Sequence, residues 1–221
     1  MNYFTLTFAI ADLGHVPQNN GIIGNYSFTA PNSVYNGKWG CPVGDLWVPE
    51  GLNLRPKSKF TDMLFITEIS FPLLVISPVF LDLLKKLVIP PILEVFPVQA
   101  IKAGKAVPYF VVISNPTYAE YYDFDTTEFI IEDTVKQETT PLTVKNVAEY
   151  LRIKAATIPP VFFGTRKIRL DTSKIEFDFF RLPVGGGVPF YIVSDRFVES
   201  VKSAGLTGIE FEPIEKNAYF R

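Results

Sequence analysis

Two stretches of the chain, LVISPVFLDLLKKLVIPPILEVFP over residues 74–97 and YIVSDRFVESVKSAGLTGIEFEP over residues 191–213, set out the same parts in the same order. In each, a short apolar strand runs into a serine, a helix with one greasy face follows, and a strand ending in proline returns. Such a unit cannot hide its helix by itself. Each large side chain on the apolar face is worth about 1.5–3 kcal/mol when removed from water, and a sheet is needed to cover it. The repeat therefore predicts an α+β fold with mostly antiparallel sheet, two similar strand–helix–strand units and one further amphipathic helix.

In the second unit the hydroxyl of Ser194 is placed to accept from a backbone N–H two or three residues on, and Asp195 sets negative charge against the positive end of the helix dipole. The pattern predicts a helix over residues 195–204, with Phe197, Val198, Val201 and Ala204 on its apolar side. Gly205 supplies the left-handed residue that ends it, and IEFEP alternates as a strand. In the first unit Ser77 is the cap and Pro78 stands at the first helical position, where its missing N–H is harmless. Phe80, Leu81, Leu84 and Leu87 form the apolar side, and Pro90 and Pro91 are expected to stop the helix. With one residue of gap, Ser77 matches Ser194, Phe80 matches Phe197, Lys85 matches Lys202, Glu94 matches Glu210 and Pro97 matches Pro213.

A length of 221 residues suits one domain, residues 1–221, with internal pseudo-symmetry. Residues 1–60 are a turn-rich β segment, 61–132 hold the first unit, and 133–221 hold the helix and the second unit. The opening YFTLTF reads as a strand; NYSFTA and DLWVPE read as short strands between tight turns. MLFITEI, VPYFVVISN and the end of PTYAEYYDFDTTEFIIED are further strands, as are KIRLD and KIEFDFFRL. PLTVKNVAEYLRIKAATIPP predicts the additional helix, with Thr143 as its cap, Pro159 as its stop, and Val144, Val147, Ala148, Leu151 and Ala155 facing inward. The glycine run in VGGGVP precedes a strand and lacks the Lys-Ser/Thr of a phosphate loop, so it reads as a flexible connection.

Several chemistries are disfavoured by what is scarce. Cys41 and His15 are the only residues of their types, so no internal disulfide can form and no His/Cys-rich zinc site can be assembled. Any Ser-His-Asp or Cys-His arrangement would have to use His15, which lies in DLGHVPQNNG with no evident orienting partner. The net charge is −2, which offers no field to attract nucleic acid or an anionic membrane, and the basic run RKIR alternates as a strand face does. No Lys or Arg precedes the apolar N-terminal run, as an export signal requires. The central charge-free apolar run, residues 71–81, is shorter than the roughly 18 residues a membrane helix needs. A cytoplasmic protein with no membrane contact is expected.

The two units resemble the α+β immunity proteins of bacterial polymorphic-toxin systems, the family numbered eleven and its neighbour numbered forty-three. The resemblance covers residues 74–97, PYFVVISNP at 108–116, IRLDTSKIEFDFFRL at 168–182 and residues 191–213, with AGLTGIEFEP its most specific part. It implies a cytoplasmic antidote that binds a cognate protein toxin and blocks it without chemistry or cofactor of its own. The family supplies no catalytic residues to carry over.

For the toxin-binding surface the sequence offers YAEYYDFD, where Tyr118, Tyr121 and Tyr122 alternate with Glu120, Asp123 and Asp125 between two strands. Such a mixture presents rigid aromatic area and negative charge to a basic partner. A second candidate is the loop with Trp39, Asp45 and Trp47. Two competing functions remain open. One is a carboxylate-based hydrolase, since YYDFD and FDFFR place acids among aromatics as sugar sites do. The other is a structural interaction module without a toxin partner.

Overall fold

The computed structural model of the chain describes residues 2–23, 49–66, 73–90, 93–114, 117–183 and 190–214. Trp39, Cys41, Asp45, Trp47, the strand expected at NYSFTA, all but the last two residues of DLWVPE, and the glycine run lie outside the described residues. In chain order the elements are β1 (Tyr3–Phe8), α1 (Ile10–Leu13), β2 (Asn19–Ile23), β3 (Gly51–Leu54), β4 (Met63–Leu64), β5 (Leu73–Ile76), α2 (Pro78–Leu84), β6 (Leu93–Lys102) and β7 (Lys105–Ser114). After a 3-10 turn at Ala119–Tyr121 come β8 (Glu128–Asp133), β9 (Glu138–Leu142), α3 (Val147–Ala156), β10 (Val161–Lys167), β11 (Phe179–Leu182), β12 (Phe190–Ser194), α4 (Asp195–Ser203) and β13 (Ile209–Pro213).

The fold is mixed α+β and dominated by sheet. Three sheets have the orders β11-β12-β1-β13, β10-β8-β9 and β2-β3-β6-β7-β5-β4. Every described strand pairing is antiparallel except β3 with β6. The N-terminal strand β1 lies inside a sheet otherwise built from the C-terminal part of the chain, between β12 and β13.

Local chemistry sets the starts of α2 and α4. Ser77 and Ser194 are both extended, and their Oγ atoms accept from Phe80 N and Phe197 N at 3.2 Å, satisfying a donor that the first helical turn leaves free. Gly205, at φ +65°, ends α4, and the amides of Gly205 and Leu206 reach back to Lys202 O and Val201 O. Helix α2 stops at Leu84, well before Pro90. It closes with bonds from Lys86 N to Leu83 O and Leu87 N to Leu84 O at 3.0 and 3.1 Å, the tightened last turn common at helix ends.

Helix α3 differs from its expected form. Its cap is Asn146, whose side chain accepts from Glu149 N at 3.0 Å, while Thr143 follows β9 as an exposed residue. Glu149 returns a bond from its carboxylate to Lys145 N, so the cap is reinforced from inside the helix. Leu151 is 54% exposed and Ala148 and Ala155 are exposed; the inward residues are Tyr150, fully buried, with Val147 and Ile153 partly buried. One large aromatic at Tyr150 rotates the helix so that the stripe through Leu151 faces outward. The strand expected at KIRLD forms upstream instead, as β10. KIEFDFFRL pairs only from Phe179 onward, because Asp178 turns into a hydrogen-bonded corner.

Three apolar cores result. Alternation along β11, β12 and β1 sends Phe179, Tyr191, Val193 and Leu6 to one face and Phe180, Ile192 and Tyr3 to the other. The first face shares a core with α2, α4 and residues Met63, Leu74, Ile76 and Val112 of the six-stranded sheet. The second packs on Tyr122, Phe129, Tyr150 and Phe163, from the three-stranded sheet, α3 and the 3-10 turn region. The far face of the six-stranded sheet closes over Leu52, Leu64, Val75, Ala100 and Val111. Among the described residues no helix is long and apolar enough to cross a membrane.

Candidate functional site

The stretch YAEYYDFD folds as the 3-10 turn and its exit. Backbone bonds from Tyr118 N to Arg181 O, Asp171 N to Tyr121 O and Asp123 N to Arg169 O fasten it along the segment that leads into β11. In a 3-10 turn side chains three apart eclipse, and the rings of Tyr118 and Tyr121 accordingly stack, with centroids 5.1 Å apart and planes at 7°. Phe180 meets both rings edge-on from below, and Phe177 leans against both from the side.

Two carboxylates, Glu120 and Glu176, act electrostatically on both phenols of this stack. Burial pushes the Tyr118 phenol up, and the charges of Glu120 and Glu176 push it further. The Tyr121 phenol is pushed up to about 12, by burial first and then by Glu176, Tyr118, Glu120 and Tyr3. Glu120 and Glu176 are both exposed. The same field that opposes phenolate formation would draw in an arginine or lysine, which can also lie against the exposed part of Tyr118, Tyr121 being only 5% exposed. What the arrangement can do is accept a cationic, partly apolar side chain from another molecule.

The other residues of the stretch serve the fold. Tyr122 is fully buried and donates to Pro183 O at 2.9 Å, a carbonyl that also accepts from the Tyr150 hydroxyl. Asp123, partly buried, accepts from Asp125 N at 3.1 Å and Thr126 Oγ1 at 2.6 Å, building the turn into β8. Asp125 is exposed. Tyr118 and Glu120 are thus the residues of the stretch left at the candidate face beside Glu176; the buried Tyr121 braces Tyr118 from the core, and Tyr122 and Asp123 serve the fold, while Asp125 lies on the turn into β8.

Glu176 and Phe177 were not marked by the sequence. Nothing local joins an acid in KIEFDFFRL to tyrosines more than fifty residues earlier; only the pairing of both segments around β11 does so. The acid that the sequence did single out there, Asp178, points inward. Its carboxylate accepts from Ser194 Oγ at 2.7 Å, Val88 N at 2.9 Å, and both Nε and Nη2 of Arg196. Burial raises the Asp178 carboxyl, but these donors outweigh it and hold the group below the ordinary carboxylate range. A general acid for glycoside cleavage needs the opposite shift. Among the described residues no group of three or more His, Cys, Asp or Glu side chains is arranged to hold a metal ion.

No protein-family model matches the chain, and no curated protein is significantly similar to it.

Proposed function

We propose that this chain is a non-catalytic protein of the polymorphic-toxin immunity type, acting in the cytoplasm by covering a basic cognate toxin domain. On this reading the two strand–helix–strand stretches are copies of one unit, and their shared core makes a rigid body for the face built by Tyr118, Glu120 and Glu176, with the buried Tyr121 packed against Tyr118. The observation that carries the proposal is Tyr118 stacked on the buried Tyr121, with the exposed acids Glu120 and Glu176 acting electrostatically on both phenols. Tyr118, locked by packing on Tyr121, contributes contact area at little entropic cost, and nearby acids add charge complementarity to a basic partner. The short motifs around Ser77, Ser194 and AGLTGIEFEP support the class of protein.

The experiment is co-expression with the C-terminal domain of the protein encoded next to this one. Growth arrest by that domain alone and recovery with this chain is the expected result. Arrest that this chain does not relieve would remove the immunity reading.

A further inference from the structure

The four-stranded sheet and part of the six-stranded sheet have one plan. Read from their β11 and β4 ends, β11-β12-β1-β13 corresponds to β4-β5-β7-β6, with all three pairings antiparallel in each. The capped helix follows the second strand in both, α4 after β12 and α2 after β5. Registers agree residue by residue. Ile76 and Pro97 both pair with Phe110, one from each side; Val193 and Pro213 both pair with Phe4. The residues before those phenylalanines are Tyr109 and Tyr3, so the two central strands carry the same Tyr-Phe step at the same place. An open cleft of about 510 Å³ borders Tyr109, Phe110 and Pro97, and one of about 490 Å³ borders Tyr3, Phe4 and Pro213.

A second correspondence runs between the units. Asp62 and Asp178 immediately precede β4 and β11. Each accepts the hydroxyl of its own unit's cap at 2.7 Å, Ser77 or Ser194, and each gives its backbone carbonyl to the same serine's N–H. The other carboxylate oxygen crosses over. Asp62 accepts from Thr207 N at 2.8 Å in the loop after α4, and Asp178 accepts from Val88 N at 2.9 Å in the loop after α2. The backbone answers in kind, Asp62 N to Thr207 O at 3.0 Å and Asp178 N to Val88 O at 2.7 Å. Where each half uses the same residue on the other's matching loop, and where the matched residues Phe80 and Phe197 touch each other with ring centroids 6.0 Å apart, the contact has the reciprocal pattern of a two-fold dimer.

We infer that the chain is a fused pseudo-dimer of one β-β-α-β-β unit, in which the N-terminal strand β1 is the displaced last strand of the C-terminal copy and Asp62 and Asp178 are reciprocal latches between the copies. In the first copy β6 turns directly into β7, from Lys102 to Lys105. In the second the matching turn, from β13 to β1, is cut, and the strand arrives from the other end of the chain.

Two measurements on full-length protein test this. In a circular permutant, residues 2–8 follow Arg221 through a short Gly-Ser linker and the chain begins at Ala9, which restores the missing turn. It is expected to keep one cooperative urea transition with a midpoint close to the parent's; a permutant that fails to fold or melts in two steps overturns the inference. Native-state hydrogen exchange then reads the latches. Asp178→Ala is expected to speed exchange of the Val88 amide about tenfold or more while sparing that of Thr207, and Asp62→Ala to do the reverse. Changes confined to each variant's own unit, or none, overturn it as well.

Discussion

The rings of Phe80 and Phe197 meet at 61°, one from each capped helix, each fully buried and each held one turn past the serine that caps its helix. This contact joins α2 to α4 in the middle of the core they share with two sheets. Phe197 also stacks on Phe179 at 5.8 Å and meets Phe211 edge-on, so its removal leaves a cavity with several aromatic walls. Phe197→Ala is expected to cost about 3–5 kcal/mol in urea unfolding, whereas Leu151→Ala on the outward side of α3 should stay within about 0.5 kcal/mol.

Acid should attack the molecule through Asp178. Its native carboxyl is held below the ordinary range, so the unfolded chain takes up that proton more readily than the folded one. The stabilisation is therefore complete above about pH 4, the usual aspartate value, and is lost as pH falls through the depressed native value. Unfolding midpoints of the parent and of Asp178→Asn, followed from neutral pH downward, should converge on the acid side. Curves that stay parallel would show that the carboxylate contributes no such slope.

Gly208 tests, by backbone alone, the contact between the loop after α4 and the segment leading into β4. It sits at φ +78° beside Thr207, and a β-carbon there would lie 2.6 Å from Met63 O and 2.8 Å from the side chain of Thr61. Gly208→Ala combines a left-handed penalty of about 1–2 kcal/mol with a clash against the backbone of Met63, whose N–H is bonded to Thr207 O. A loss of stability larger than that of Gly205→Ala is expected, since a β-carbon at Gly205 meets nothing within 4 Å.

What could be read in the sequence is what local chemistry decides. Ser77 with Pro78, and Ser194 with Gly205, carry their helix signals within a few residues, and YFTLTF carries its strand signal in its own alternation. The place of β1 could not be read, because its partners in β12 and β13 lie about two hundred residues away and period-two patterning says nothing about which strand is a neighbour. In α3 the apolar positions allowed two stripes, and burial of Tyr150 with its hydroxyl on Pro183 O selected the one that leaves Leu151 outside. At the candidate face the tyrosines and Glu120 stand in one short stretch, whereas Glu176 joins them only through tertiary structure.

The most direct test of the proposed toxin-binding role is the affinity of the chain for the C-terminal domain of the protein encoded next to it, measured by calorimetry for the parent and for Glu120→Lys with Glu176→Lys. Both side chains are exposed, so the double variant should unfold at the parent's urea midpoint. Binding weakened about thirtyfold or more, corresponding to roughly 2 kcal/mol at a contact hot spot, is the predicted result. Equal affinity of the two proteins for the domain would contradict the assignment of the Tyr118–Tyr121 face as the binding surface.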